Sequence, residues 1–277
     1  MEIAFNEATS LDNSRLEDDL YYCEKHGFDY IEIRLDKLKE YLLTHSVNDL
    51  ERFFFSSSLK PLSLNALEEF TFRNKTDLAL MKEDLALMIE VAKLINCDTI
   101  VAVPTFNIEQ DWQVIKQETI TRLNEFLEVI EQTELNLAIE FVGYPNCSVN
   151  TLEQSIEIIE TIGHPQLGLV FDCFHFHAMN SSFTALDSLP LEKMFLFHID
   201  DCEEKLPGVL RDYHRLWPGE GVIPLHRIFA SLYQKGFKGP VSVEVFRPEY
   251  WELEPDECIR IAKEKTIKVI ERSFYNL

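Results

Sequence analysis

Four ionisable residues sit at the ends of short apolar runs in the second half of the chain. Glu140 lies in the run 137–141, Asp172 closes 167–172, His198 lies near the end of 194–199, and Glu244 falls in 241–246. They are 32, 26 and 46 residues apart. Each interval matches one strand–helix unit, the last with a long loop. Two glutamates, one aspartate and one histidine supply three oxygen donors and one nitrogen. That set suits a borderline divalent ion such as Zn, Mn or Co. A lone carboxylate after an apolar run is more often a helix cap or a loop residue. Four in register on successive runs define a candidate centre, because ionised groups beside a core need a partner and a cation is the simplest one.

Other residues fall around these four. His175 and His177 follow Asp172 in Asp-Cys-Phe-His-Phe-His. The Asp172–His175 spacing of i, i+3 favours His175 over His177 as a neighbour of the centre. Both could equally be loop histidines. Arg215 lies in Arg-Leu-Trp-Pro-Gly-Glu-Gly, in the long segment after the run that carries His198. An arginine there is either solvated or turned into the site. Trp217 and Trp251 are candidate walls for a ring, or lids on the core. Glu32 and Arg34, two apart on one run, suggest an internal ion pair. Asn6, Glu7 and Asn65 are candidates to line the same mouth.

These side chains converge only if their elements place them at one end of a sheet. Eight short β-rich runs recur along the chain, at 3–6, 30–34, 61–65, 99–103, 137–141, 167–172, 194–199 and 241–246. Helix-period segments lie between them. In 77–96, Leu78, Met81, Leu85, Met88, Ala92 and Ile95 repeat at three- and four-residue steps, and Asp77 is the expected N-cap. Residues 112–132 and 255–272 read as helices too, the latter with Pro255 near its start. Eight strands alternating with helices predict an α/β fold, a (β/α)8 TIM barrel formed as one domain over residues 1–277. In such a barrel the carboxyl ends of the strands share one mouth, and the four ligand candidates meet there. An open doubly wound sheet alternates similarly. It usually carries a glycine-rich first turn, and no G-x-G-x-x-G is present.

Composition narrows the partners. Twenty-six Lys and Arg against 48 Asp and Glu leave a formal net charge of −22. With no basic run to offset it, this charge disfavours nucleic acid and anionic membranes as partners. No apolar stretch approaches the roughly 18 residues a membrane helix needs. The first residues show no basic segment followed by an apolar one, so no signal peptide is expected. Six scattered cysteines without a Cys-x-x-Cys pair predict reduced thiols and a cytoplasmic protein. Both a monomer and a homo-oligomer fit these features.

Several segments carry a resemblance. They are residues 5–9 (Phe-Asn-Glu-Ala-Thr), 23–34, 138–145 (Ala-Ile-Glu-Phe-Val-Gly-Tyr-Pro) and 171–179 (Phe-Asp-Cys-Phe-His-Phe-His-Ala-Met). His198-Ile199-Asp200-Asp201, residues 217–221 and residues 241–250, with Phe-Arg-Pro-Glu-Tyr, complete the set. On these segments the chain resembles the xylose-isomerase-like barrel family of sugar isomerases and epimerases over its whole length. The resemblance implies that Glu140, Asp172, His198 and Glu244 hold one divalent metal ion. It also implies that His175 and Arg215 contact substrate oxygens; Trp217, the candidate wall, would bind substrate beside them. Tyr144 stands where close relatives can carry histidine, and residues 68–76 are less similar.

The chemistry implied is a metal-assisted ketone shift on a polyhydroxy ketone, 2-keto-myo-inositol to 1-keto-D-chiro-inositol, through an enediolate. Glu140 or Glu244 would take the proton and return it to the adjacent carbon. Rival readings are a dehydratase acting on the same ketone, another ketose epimerase or hydroxypyruvate-type isomerase, a barrel endonuclease for abasic DNA, and a metal-retaining barrel that binds without turnover. The endonuclease needs more histidines at the mouth and a basic surface.

Overall fold

The computed structural model describes residues 1–106 and 109–275. Eight strands run in chain order: β1 Ile3–Asn6, β2 Tyr30–Arg34, β3 Lys60–Glu68, β4 Thr99–Val103, β5 Asn136–Glu140, β6 Leu167–Asp172, β7 Met194–Ile199 and β8 Val241–Val243. Each pairs in parallel with its neighbours in sequence, and β8 closes on β1. The result is the closed (β/α)8 barrel expected from the alternation. Helices wrap its outside, and the large core cluster fills the space between them and the strands.

Strand periodicity decides what points inward. Ala66, Val101, Ala138, Val170 and Leu196 form a small separate cluster inside the barrel. Two residues further along their strands come Glu140, Asp172 and His198. The same alternation that fills the barrel with small apolar side chains therefore aims these three into its carboxyl-terminal mouth. Ladder register sets Asp172 opposite His198, with Ser242 on the other side of His198, while Glu140 stands opposite Val170, two residues before Asp172.

Element boundaries differ from the sequence-based expectation by a few residues: the strand expected at 61–65 spans Lys60–Glu68, and the one expected at 137–141 spans Asn136–Glu140. The helix expected at 77–96 spans Lys75–Ile95, and its cap is Asn74, not Asp77. The Asn74 side-chain oxygen accepts from the backbone N–H groups of Thr76 and Asp77. Asp77 then falls in the first turn, where its carboxylate accepts from Asn74 Nδ2 and complements the helix dipole. The helix ends at Asn96 in the left-handed region, φ 57°. The last strand stops at Val243 instead of running to 246. Beyond it the Glu244 N–H still donates to the Ile199 carbonyl, and side chains then take over: Arg215 Nη1 donates to the Glu244 carbonyl, and the Val245 N–H donates to Thr9 Oγ1. Glu244 thus sits one residue past β8.

A two-stranded antiparallel ribbon, Asp201–Cys202 with Arg215–Leu216, lies outside the barrel after β7. It folds the long segment back so that Arg215 reaches the mouth. All six cysteines are buried and unpaired, and burial pushes the Cys97, Cys147 and Cys258 thiols up to about 12. No described helix is long and apolar enough to cross a membrane.

Candidate metal centre

Glu140, Asp172, His198 and Glu244 each offer a ligand atom within 4.8 Å of the others, and all four are buried. His198 Nδ1 is the hub. It lies 3.1 Å from Glu140 Oε1, 3.2 Å from Glu244 Oε2 and 3.9 Å from Asp172 Oδ2. Three carboxylates forced together out of water repel each other unless a cation joins them. The electrostatics show that load. Burial, then the neighbouring Glu244 charge, pushes the Glu140 carboxyl up to about 8. Burial would lower the His198 imidazole, yet the Glu32, Glu244 and Glu140 charges raise it well above the ordinary histidine value. Burial would raise Asp172, but the Arg215 charge, with His175 and His198, draws it below the usual range. This donor set fits one divalent ion in chemistry and in spacing.

Each ligand is held by its own element. Asp172 caps the short helix Cys173–Ala178, its Oδ1 accepting from the His175 N–H at 2.8 Å. That leaves Oδ2 turned to the centre. Glu244 is steadied from β1, where Asn6 Nδ2 donates to its Oε1 at 2.9 Å. The Asn6 side-chain oxygen is in turn fixed by the Ala8 N–H. Asn6 therefore lines the mouth, as its position on the first strand suggested.

Arg215 is fully buried. Its Nη1 donates to Asp200 Oδ2 at 2.5 Å and to Asp172 Oδ2 at 2.9 Å, and lies 3.4 Å from Glu244 Oε2. Its Nε reaches Asp212 at 3.1 Å, and the guanidinium lies over the Phe174 ring. Nη2 donates to His175 Nε2 at 3.1 Å. Since that ring nitrogen accepts, the His175 proton belongs on Nδ1. Nδ1 is buried with no hydrogen-bond partner in the protein. Burial holds His175 below the ordinary histidine value, so the ring is neutral near pH 7. His177, two residues on along the helix, is only half-buried and faces elsewhere.

Two expectations need correction. Glu32 and Arg34 do not pair with each other. They occupy different layers of the barrel interior: Arg34 meets Asp36 and Glu68 at the rim, and Glu32 lies deeper against His198 Nε2 at 3.1 Å. Glu7 turns away from the mouth. Its Oε2 accepts from the Arg34 N–H, beside the buried Lys37–Asp19 pair. Asn65 is buried, with its Nδ2 unpartnered. Trp217 is buried with Tyr250 stacked 4.1 Å away on one face, and Trp251 Nε1 donates to the Ala8 carbonyl. Tyr144 packs edge-on to His175 at 5.8 Å, with the Arg211 guanidinium over its ring. Asp200 was not singled out from the sequence, yet it makes the shortest contact to Arg215. Its signal was an acidic pair, Asp200-Asp201, directly after an apolar strand.

The family model described as a xylose isomerase-like TIM barrel matches residues 20–266. The chain belongs to this family. Within the xylose isomerase-like barrels, inosose isomerase of Halalkalibacterium halodurans is 43% identical over 276 residues, 99% of this chain and 98% of that protein. Inosose isomerase of Bacillus subtilis is 43% identical across 99% of both chains. A crystal structure of the IolI protein with a bound zinc atom superposes with a TM-score of 0.94 at 43% identity, covering 99% of each chain.

Proposed function

We propose that this chain is an inosose isomerase, interconverting 2-keto-myo-inositol and 1-keto-D-chiro-inositol at a single divalent ion held by Glu140, Asp172, His198 and Glu244. The observation that carries the reading is the buried three-oxygen, one-nitrogen cluster at the barrel mouth. The 43% full-length identity to inosose isomerases supports the substrate. When bound, the ion supplies Lewis-acid polarisation of the ketone and offsets the charge of the enediolate.

The chain's own residues supply the rest. Glu140 from β5 and Glu244 from beyond β8 flank the centre. One of them removes the proton from the carbinol carbon beside the ketone and returns it to the former ketone carbon. The hydroxyl proton moves between the two oxygens, so the ketone shifts by one position with no net oxidation. His175, with its Nδ1–H unpartnered, is placed to donate to a substrate oxygen. Arg215 holds Asp172 in position and contributes positive charge beside the developing oxyanion. Trp217, stacked on Tyr250, is the candidate wall beside the substrate. The partner is a small polyhydroxy ketone, with no nucleic acid or membrane, and the compartment is the cytoplasm, in keeping with six reduced thiols and the net charge of −22.

The test is to incubate the zinc-, manganese- or cobalt-loaded protein with 2-keto-myo-inositol in D2O and follow products by NMR. A chiro-configured ketone carrying deuterium is expected. A diketo product would mean dehydration instead. Glu244→Gln should abolish turnover while the fold persists; full activity in that variant would sink the proton-transfer scheme.

A further inference from the structure

The far side of the His198 ring makes contacts that the reaction scheme does not use. Nε2 points away from the three carboxylates, into the barrel, and meets Glu32 at 3.1 Å to Oε1 and 3.3 Å to Oε2. Glu32 is completely buried on β2. Both of its oxygens are spoken for. Oε2 accepts from Ser63 Oγ at 2.6 Å, and Oε1 accepts from Ser242 Oγ. Ser63 comes from β3 and Ser242 from β8, so three strands fix one carboxylate against the ring. A carboxylate with two hydroxyl donors is built to accept, never to donate.

We infer that Glu32 is a positioning residue for the metal centre, holding the His198 proton on Nε2 so that the Nδ1 lone pair faces the ion. The inference rests on the reading of Glu140, Asp172, His198 and Glu244 as metal ligands. An imidazole binds a cation through a nitrogen that carries no proton. Of its two neutral forms, the one with the proton on Nδ1 would turn an N–H toward the ion. An acceptor fixed at Nε2 excludes that form and sets the ring orientation, and its negative charge raises the ring's basicity. Within the barrel, Glu32 is the group in contact with Nε2, while Nδ1 is surrounded by Glu140, Asp172 and Glu244. A glutamine at this position keeps the shape. Its amide group can donate to Nε2, which favours the ring form that cannot bind metal.

The experiment measures zinc affinity by competition with a chromophoric chelator in the full-length protein, for wild type, Glu32→Gln and the Ser63→Ala/Ser242→Ala double variant. Thermal melting of the metal-free proteins and the visible spectra of the cobalt-loaded ones are recorded alongside. The expected result is an affinity loss of about 10- to 100-fold in Glu32→Gln, with an altered cobalt spectrum. The double serine variant should lose affinity less. Wild-type affinity and spectrum in a folded Glu32→Gln protein would overturn the inference, even if its melting temperature fell, because that pattern means packing alone. If Glu32→Gln does not fold, the double serine variant decides: a weakened site supports the inference and an unchanged one overturns it. Failure of the wild-type protein itself to bind zinc, manganese or cobalt would instead overturn the metal reading, and this inference with it.

Discussion

Arg215→Met is the most informative single change. It removes the guanidinium but keeps an unbranched apolar stem beside Phe174 and Phe246. The loss is concentrated at Nη1, which contacts Asp200 at 2.5 Å and Asp172 at 2.9 Å, where both carboxylates are fully buried. Asp212 is more than a third exposed, so its 3.1 Å contact to Nε adds little. Breaking a buried pair costs about 3–5 kcal/mol, because the surviving charge is stranded in a medium that cannot solvate it. At roughly 2–4 °C per kcal/mol for a domain near this size, the melting temperature should fall by roughly 6–20 °C. Burial already raises Asp200 well above the ordinary aspartate range against the pull of Arg215. Without the guanidinium, Asp200 should take up a proton, so the loss should shrink as pH falls. Arg215→Lys keeps one charge without the planar fork and should fall between the two. Thermal melts of metal-loaded protein at several pH values provide the assay. A Met variant that melts within about 1 kcal/mol of wild type, with only KM altered, would refute this reasoning and make Arg215 a substrate contact alone.

Two further outcomes follow from the geometry. A methyl group on Gly143 would lie 2.5 Å from the His175 carbonyl oxygen and 2.8 Å from its Cα. Gly143→Ala should therefore displace the helix that carries His175, at a cost of about 1–3 kcal/mol in melting experiments. A fall in kcat/KM of up to about 10²-fold should accompany it if His175 touches substrate. In metal-free protein, Glu140 is raised to about 8 and His198 is raised well above 6.5. A group raised on folding lends its stability below its unfolded value and loses it as pH rises through the folded one. The melting temperature of metal-free protein should therefore drop as pH climbs through about 8. Zinc affinity should rise over the same window, since the ion must displace those protons. Flat profiles in both measurements would contradict the charge crowding at the centre.

The barrel was legible because its signals are local. Apolar β-rich runs, helical periodicity and a titratable residue at the end of each late strand can all be read without knowing where the chain goes. The four ligand candidates were found in that way, since a charged residue closing a buried run needs a reason. Helix 75–95 shows the limit of such local reading. Asn74 and Asp77 both have capping chemistry, and the choice went to the residue with extended backbone, φ −70° and ψ 168°.

Taken alone, the sequence determined the fold, the donor set and the strand ends that present it. Tertiary structure decided which side chains meet. Glu32 and Arg34 looked like partners because residues two apart on a strand share a face. Successive inward positions nevertheless occupy different layers, and closure of the sheet put His198, 166 residues away, beside Glu32. The same closure brought Asn6 to Glu244 across 238 residues, and the ribbon after β7 carried Arg215 to Asp172 and Asp200. These pairings follow from the shear and register of the whole ring of strands, set by backbone hydrogen bonds around the barrel. No single stretch of chain contains that information.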